Sequence, residues 1–407
     1  MNLRTRLIPT AQSRSIALKA ILIACLLAVG LPSVTHAQPP PWPPGCYESE
    51  LSKPAYQKIL ICTPPGPPED PLANWNGHLV VYAHGYVAPQ LDPNLPVEEL
   101  GRYPDLINIL LYNGYAFATT SYQKNGYAVE QAGKDLNALV RHFKTHVLPN
   151  AGLLQKVFVV GASEGGVITT MLVEKHPGIY DGGLAMCGPI GGMPAQIQYL
   201  ADFRVVFDAF FPNVFDFGVT NVPEDAWLNW DSYEANIPIA LASEPVATSQ
   251  LFSVTRAAFD PFDPTSYGTT TLGILFYSIW GTNDMIDTAG GMPYDNQDTL
   301  YTGSLDDAAL NAGVERVESD GRARAYARRA YQPTGELERP LVTLHNTADP
   351  VVPYWHEEIY PGAASPWFVP IPVAGYGHCE FTAGEVLGAF NQLLVSAGLP
   401  PLMPPTP

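Results

Sequence analysis

Basic residues are scarce in this sequence. Its 407 residues include 21 Lys and Arg against 39 Asp and Glu, which leaves a formal net charge of -18 at pH 7. An acidic surface repels the phosphate backbones of DNA and RNA, so we expect no nucleic-acid partner. The cysteines and histidines also lack the spacings that hold zinc, and we predict no metal site.

The sequence offers no apolar run that suits a membrane span. The run near the N-terminus, residues 20–31, is too short for one. It follows four basic residues and precedes Thr35-His36-Ala37, a typical cleavage site, so residues 1–37 are predicted to be a signal peptide removed after Ala37. Cys25 lies inside the apolar run, which argues against a lipid anchor there. We therefore expect a secreted or periplasmic protein.

Cysteines are few, and their number falls from five to four when the signal peptide is removed. An even count in an exported protein indicates two disulfides, for which three connectivities are possible. We favour Cys46–Cys62, which would close a short N-terminal hairpin, together with Cys187–Cys379.

Short apolar runs alternate with amphipathic segments through most of the chain. Such alternation predicts a mainly parallel sheet with helices on both faces, an α/β fold. The predicted strands are residues 46–51, 56–62, 77–85, 115–121, 157–160, 181–187, 340–345 and 367–373, and the predicted helices are residues 98–112, 129–147, 167–174 and 382–397.

A long segment that is rich in aromatic residues interrupts this pattern. Residues 188–338 include two helical stretches, 195–211 and 306–331. We interpret the segment as a mostly helical cap inserted into a core domain made of residues 38–187 and 339–407. Most of its aromatic side chains must fill the core of the cap, and a minority could line a substrate pocket at the seam.

One strand leads into a glycine-rich turn that is typical of a nucleophile. The apolar residues 157–160 precede Gly161-Ala162-Ser163-Glu164-Gly165, and a helical pattern follows. This is the G-x-S-x-G motif, in which small flanking residues allow a strained turn to present the serine at a helix N-terminus. Taken alone, the motif is equally compatible with a glycine-rich turn whose serine caps the helix.

Two later segments supply the residues that a serine nucleophile needs. Asp349 follows the strand at residues 340–345, and His378 follows the strand at residues 367–373. Sites in open α/β sheets gather at the carboxyl ends of strands, so Ser163, Asp349 and His378 should meet there. Serine requires a base, and the base requires an orienting acid.

With these segments in place, the sequence resembles the α/β-hydrolase superfamily, in particular its exported serine esterase and peptidase branches. The resemblance implies that Ser163 is the nucleophile, His378 the general base and acid, and Asp349 the orienting carboxylate. It also implies an oxyanion hole made by the backbone N–H groups of Glu164 and, after His84-Gly85, of Tyr86. The expected reaction forms an acyl-enzyme, needs no cofactor, and acts on small or polymeric carboxylic esters.

Each role has rivals in the sequence. Asp284, after the apolar residues 272–280, could replace Asp349 as the acid, although it lies far before the last strand. His84, His345 and His356 could replace His378. His84 better suits the oxyanion loop, His345 a buried core position, and His356 lacks the second histidine of a zinc helix. The side chain of Glu164 could tune the site or face solvent, and we favour the solvent-facing position.

The activity leaves two alternatives open. An amidase or peptidase would hold a substrate amine in an acidic cap pocket, and a binding protein would use the same scaffold without catalysis. The sequence makes no prediction about the oligomeric state.

Overall fold

The computed structural model describes residues 42–52, 56–148 and 151–403. The predicted signal peptide, residues 1–37, lies outside the described residues. Within the described part of the chain, no helix is both long and apolar enough to cross a membrane.

Eight strands form one sheet at the centre of the molecule. They are Cys46–Leu51 (β1), Gln57–Cys62 (β2), His78–Ala83 (β3), Ala116–Thr120 (β4), Lys156–Ala162 (β5), Gly182–Met186 (β6), Leu341–Ala348 (β7) and Phe368–Tyr376 (β8). Their order is β1-β2-β4-β3-β5-β6-β7-β8. β2 pairs antiparallel with β1 and β4, and every later pair is parallel.

Helices account for most of the remaining ordered chain. They are Val97–Gly101 (α1), Pro104–Tyr112 (α2), Val129–His142 (α3), Glu164–Lys175 (α4), Met193–Phe210 (α5), Trp230–Ser243 (α6), Pro245–Thr255 (α7), Ser266–Trp280 (α8), Thr282–Ala289 (α9), Asp307–Gly313 (α10), Gly321–Tyr331 (α11), Trp355–Glu358 (α12) and Ala383–Ser396 (α13). A π-helical turn, Phe143–Val147, extends α3, and short 3-10 helices occupy Ala151–Leu153 and Ala226–Asn229.

The central strands are buried on both faces. Leu79 and Val81 of β3 share a core cluster with residues of α3 and α4. Val80 and Tyr82 of the same strand belong to a second cluster, with residues of α2 and α13. Successive strand side chains point to opposite faces, so a strand covered on both sides is apolar throughout. The mainly parallel sheet with helices on both faces confirms the predicted α/β-hydrolase fold class.

The chain between β6 and β7 contains all the helices from α5 to α11. We call residues 188–338 the insertion. The prediction of one helical stretch over residues 306–331 was wrong, since α10 and α11 are separate. Asp306 accepts the N–H of Ala309 at the start of α10, and Asp320 accepts the N–H of Arg322 at the start of α11. Each aspartate therefore starts its own helix.

Candidate active site

Ser163 forms the turn between β5 and α4 by itself. Its φ is 56° and its ψ is -123°, a conformation that residues with side chains rarely adopt. The neighbouring glycines are required, because a Cβ at Gly161 would strike the Gly165 carbonyl oxygen and a Cβ at Gly165 would strike the Ala83 carbonyl oxygen. The G-x-S-x-G segment thus forms a strand, tight turn and helix in that order.

Three side chains from different strand ends meet at this turn. Nε2 of His378 lies 2.9 Å from Oγ of Ser163, and Nδ1 of His378 lies 2.7 Å from Oδ2 of Asp349. Ser163 follows β5, Asp349 follows β7 and His378 follows β8. The structure brings the three residues together in a hydrogen-bonded chain that runs from carboxylate to imidazole to hydroxyl.

Asp349 is buried and held by the backbone that follows it. Its Oδ1 accepts the N–H groups of Val351 and Val352, both at 2.9 Å. Burial disfavours the charged form, but the imidazoles of His378 and His345 hold the pKa of this carboxyl below its usual value. An ionised Asp349 can orient His378 and stabilise its protonated state.

The loop that carries His378 is attached to β7 through Asn346. The side chain of Asn346 accepts the N–H of Glu380 at 2.9 Å and donates to its carbonyl oxygen at 2.9 Å. Sequence reasoning missed this residue, since an asparagine at a strand end has no distinctive signal before the last two strands are paired.

Both favoured disulfides are present. Cys46–Cys62 joins β1 to β2, and Cys187–Cys379 joins the end of β6 to the residue after His378. The cluster of Cys187, His378 and Cys379 resembles a metal-ligand set by distance alone. Both sulfur atoms are consumed in the disulfide, so neither can act as a thiolate ligand.

The proposed oxyanion donors lie on two segments that touch at Ser163. A Cβ at Gly85 would lie 3.4 Å from the Ser163 Cβ, so the loop after β3 runs against the turn. Among the described residues, no acceptor takes the backbone N–H of Tyr86 or of Glu164. The N–H of Gly85 is already occupied by Glu99, so Tyr86 is the first residue of that loop whose N–H has no acceptor in the described part of the chain.

Glu99 is a second residue that sequence reasoning missed. Its carboxylate accepts the N–H of Gly85 at 3.1 Å and the hydroxyl of Tyr82 at 2.6 Å. Burial raises the pKa of this carboxyl, although the hydrogen bonds from Tyr82 and Gly85 act to lower it. In the sequence Glu99 stands beside Glu98 on a polar helix, where nothing distinguishes it from a surface residue.

The expectation that Glu164 faces solvent was wrong. Its side chain is 5% exposed, and its Oε1 accepts the N–H of Ala128 at 3.2 Å. Burial raises the pKa of the Glu164 carboxyl to about 8, and the nearby Asp284 adds to this effect. The carboxyl points inward because the first turn of α4 packs against the segment that precedes α3.

The rival residues occupy other places. Asp284 accepts the N–H of Tyr127 at 2.7 Å and lies 3.6 Å from the Lys124 ammonium. His84 lies against Tyr122, with 3.8 Å between ring centroids, and burial lowers its pKa to about 4. Nε2 of His356 bonds to Gln196, and His345 lies behind Asp349. None of these side chains bonds to Ser163 among the described residues.

The insertion contacts the segments that carry Asp349 and His378. Tyr199 of α5 donates its hydroxyl to the Pro350 carbonyl oxygen at 2.7 Å, and the hydroxyls of Thr270 and Tyr376 lie 2.8 Å apart. α5 and α8 therefore help to place the ends of β7 and β8.

A cavity opens beside Ser163 at the seam between the sheet and the insertion. Its lining is mostly apolar and aromatic, and the lining includes Glu164, the residue after Ser163. The lining residues are Tyr86, Tyr127, Ser163, Glu164, Pro189, Met193, Gln196, Leu200, Tyr277, Val351 and Val352. Ser163, the proposed oxyanion segment and the insertion thus share one cavity.

The sequence of residues 48–265 matches the profile of the tannase-like family of unknown function (DUF6351). The chain belongs to this family. No protein with a curated function matches the chain in sequence.

Solved structures of the α/β-hydrolase fold are similar to this one at low sequence identity. The Pyrococcus furiosus esterase Pf2001 is 14% identical, with 90% of this chain and 96% of that chain covered and a TM-score of 0.44. Est1E from Butyrivibrio proteoclasticus is 11% identical, with 87% and 98% covered and a TM-score of 0.38. Oligopeptidase B from Trypanosoma brucei is 11% identical with a TM-score of 0.43, and the match covers 88% of this chain but only 38% of that protein.

Proposed function

We propose that the protein is an exported serine hydrolase that cleaves carboxylic esters through Ser163, His378 and Asp349. The hydrogen-bonded chain of these three residues, at 2.9 and 2.7 Å, carries the proposal, together with the strained turn at Ser163. Serine acts as a nucleophile only beside a base that is itself oriented, and this geometry meets that need.

In the proposed reaction, His378 Nε2 takes the hydroxyl proton as Ser163 Oγ bonds to the ester carbonyl carbon. The N–H groups of Tyr86 and Glu164 stabilise the resulting oxyanion. His378 then gives the proton to the leaving alkoxide as the C–O bond breaks, and an acyl-enzyme remains. Water, deprotonated by His378, attacks the acyl carbon, and Ser163 leaves with the proton. Every proton is returned, so His378 ends the cycle in its starting state.

The cavity supports ester cleavage over cleavage of amine-bearing peptides. A peptidase of this fold would use an ionised acid in the insertion to hold a substrate amine. Among the residues that line the cavity, the acidic one is Glu164, which belongs to α4. Because burial raises its pKa to about 8, it is largely uncharged at neutral pH. The tannase-like name of the family is consistent with an ester substrate.

We also propose that residues 188–338 act as a cap over the site and that the protein is exported after cleavage behind Ala37. The cavity lining from α5 and α8 supports the first statement, and the two disulfides support the second. N-terminal sequencing of protein secreted from an expression host tests the cleavage position.

Labelling with a fluorophosphonate, read as intact mass, tests the nucleophile. The wild type should gain one adduct, and Ser163→Ala should gain none while keeping its circular dichroism spectrum. A panel of p-nitrophenyl esters and aminoacyl anilides then separates esterase from peptidase. A folded wild type that gains no adduct would contradict the proposed activity, and the binding-protein alternative would take its place.

A further inference from the structure

His345 is a buried histidine of β7 that lies behind the proposed acid. Its Nε2 lies 2.8 Å from the Val352 carbonyl oxygen, and its Nδ1 lies 3.0 Å from Oε1 of Glu357. The same Nε2 is 3.6 Å from Oδ2 of Asp349, the oxygen that accepts from His378. His345 is therefore next to the hydrogen-bonded chain without touching Ser163.

The groups that face the two ring nitrogens of His345 determine how many protons the ring carries. A backbone carbonyl oxygen can only accept, so Nε2 carries a proton. Nδ1 faces a carboxylate oxygen of Glu357, whose other oxygen accepts the Thr343 hydroxyl at 2.7 Å. A histidine with acceptors at both ring nitrogens holds a proton on each and is a cation.

We propose that His345 is a permanently protonated positioning residue for the catalytic acid, paired with Glu357 and holding its charge beside the Asp349 oxygen that orients His378. This inference rests on the proposed function, because it assigns a support to the acid of that mechanism. It places two further residues, His345 and Glu357, behind the hydrogen-bonded chain that begins at Ser163.

The groups around His345 agree with a buried cation. Asp349 faces His345 from the loop after β7, and Glu357 and His356 face it from α12. The ring centroids of His345 and Tyr354 lie 5.7 Å apart. Burial alone would lower the pKa of His345, but the two carboxylates raise it to about 10. Burial lowers the pKa of His356 to about 3, so this neighbour stays neutral.

The arrangement has two consequences for the acid. The positive charge favours the ionised form of Asp349 and offsets part of the negative potential that Asp349 exerts on His378. The bond to the Val352 carbonyl also holds the segment whose N–H groups bind Oδ1 of Asp349. Loss of the pair should therefore strengthen the negative potential at His378 and should loosen the orientation of Asp349.

The first test measures protonation directly in the wild-type protein. With 15N-histidine labelling, the His345 side chain should show two protonated ring nitrogens at every pH from 5 to 8, while His356 shows one. His356→Gln and Glu357→Gln assign the two signals. A His345 ring that carries one proton, or that titrates within this range, would overturn the proposal. This readout does not need catalysis.

The second test removes the pair as a unit. In His345→Gln/Glu357→Gln, amides replace both charges, so neither is left buried alone. We expect kcat on a p-nitrophenyl ester to fall roughly 10-fold with KM nearly unchanged. In the plot of kcat/KM against pH, the acid limb should move to higher pH by roughly one unit. His356→Gln, which disturbs the same segment without changing its charge, should leave that limb in place.

The outcomes separate this inference from the proposed function. A wild type without a fluorophosphonate adduct fails the proposed function, whatever the histidine signals show. A folded double variant whose acid limb matches that of the wild type would show that His345 has only a structural role. If the double variant does not fold, His345→Gln alone also removes the positive charge and should shift the limb in the same direction, and an unshifted limb there would contradict the proposal.

Discussion

The carboxylate of Glu99 accepts the backbone N–H of Gly85, one residue before the proposed oxyanion donor Tyr86. The same carboxylate accepts the hydroxyl of Tyr82 on β3, so it joins the strand to the loop that follows it. Glu99 thereby occupies the N–H of Gly85, whereas the next N–H, that of Tyr86, has no acceptor among the described residues.

Replacement of Glu99 should impair catalysis through this loop. Glu99→Ala leaves the Gly85 N–H without an acceptor, which costs about 1–3 kcal/mol when the group stays buried. We expect kcat to fall roughly 10- to 100-fold as the Tyr86 N–H loses its position, with a smaller change in KM. Glu98→Ala, at the exposed neighbouring position, is the matched control and should retain wild-type kinetics. Equal kcat values for the two variants would contradict the role of Glu99.

Two isosteric variants can show which aspartate is the orienting acid of the proposed mechanism. Asp349→Asn should lower kcat by about 10⁴-fold, since an amide cannot stabilise protonated His378. Asp284→Asn should lower it by roughly 10-fold or less, because Asp284 holds the Tyr127 N–H and does not touch His378. Both are measured on one p-nitrophenyl ester at pH 8. The reverse order would assign the acid to Asp284.

The Cys187–Cys379 disulfide should affect activity as well as stability. It joins residues 192 positions apart and lies beside His378, with Sγ of Cys379 3.6 Å from Nε2. We expect Cys187→Ala/Cys379→Ala to lower the free energy of unfolding by about 2–5 kcal/mol and to reduce kcat. Cys46→Ala/Cys62→Ala, which opens the other disulfide at the sheet edge, should lower stability but leave kcat unchanged. A similar loss of kcat in both variants would show that only global stability is involved.

Glu164 should make the stability of the protein depend on pH. Burial raises its pKa in the folded state to about 8, against an ordinary value of 4.5. Between these values the folded protein holds a proton that the unfolded chain has released, so this residue lowers the free energy of unfolding as the pH rises from 4.5 to 8.

Glu164→Gln removes this effect and can still accept the Ala128 N–H. Relative to the wild type, the variant should gain stability between pH 5 and pH 8, by on the order of a few kcal/mol. Urea unfolding at the two pH values measures the difference. Glu130→Gln is the matched control, because Lys134 lowers the pKa of Glu130. This carboxyl is largely ionised in the folded and unfolded states at both pH values, so its variant should change stability by a similar amount at each. An advantage for Glu164→Gln that is the same at both pH values would rule out ionisation as its cause.

Much of the fold could be predicted from local patterns. β3 was predicted as a strand because Leu79, Val80 and Val81 form an apolar run, and this composition follows from burial on both faces. The glycines around Ser163 were equally readable, since the turn cannot form with side chains there. The break between α10 and α11 was missed, although Asp306 and Asp320 are ordinary helix caps.

The sequence by itself determined the order of the strands and helices and the three segments that bear Ser163, Asp349 and His378, because a backbone turn and a buried strand impose their residue types locally. Only the tertiary structure decided the surroundings of these residues. Glu164 meets Ala128 of another segment, and Glu99 and His345 meet partners that only the folding of the adjacent strand and loop brings next to them. Their charge states depend on burial and on neighbouring charges, and both quantities exist only once the chain has folded.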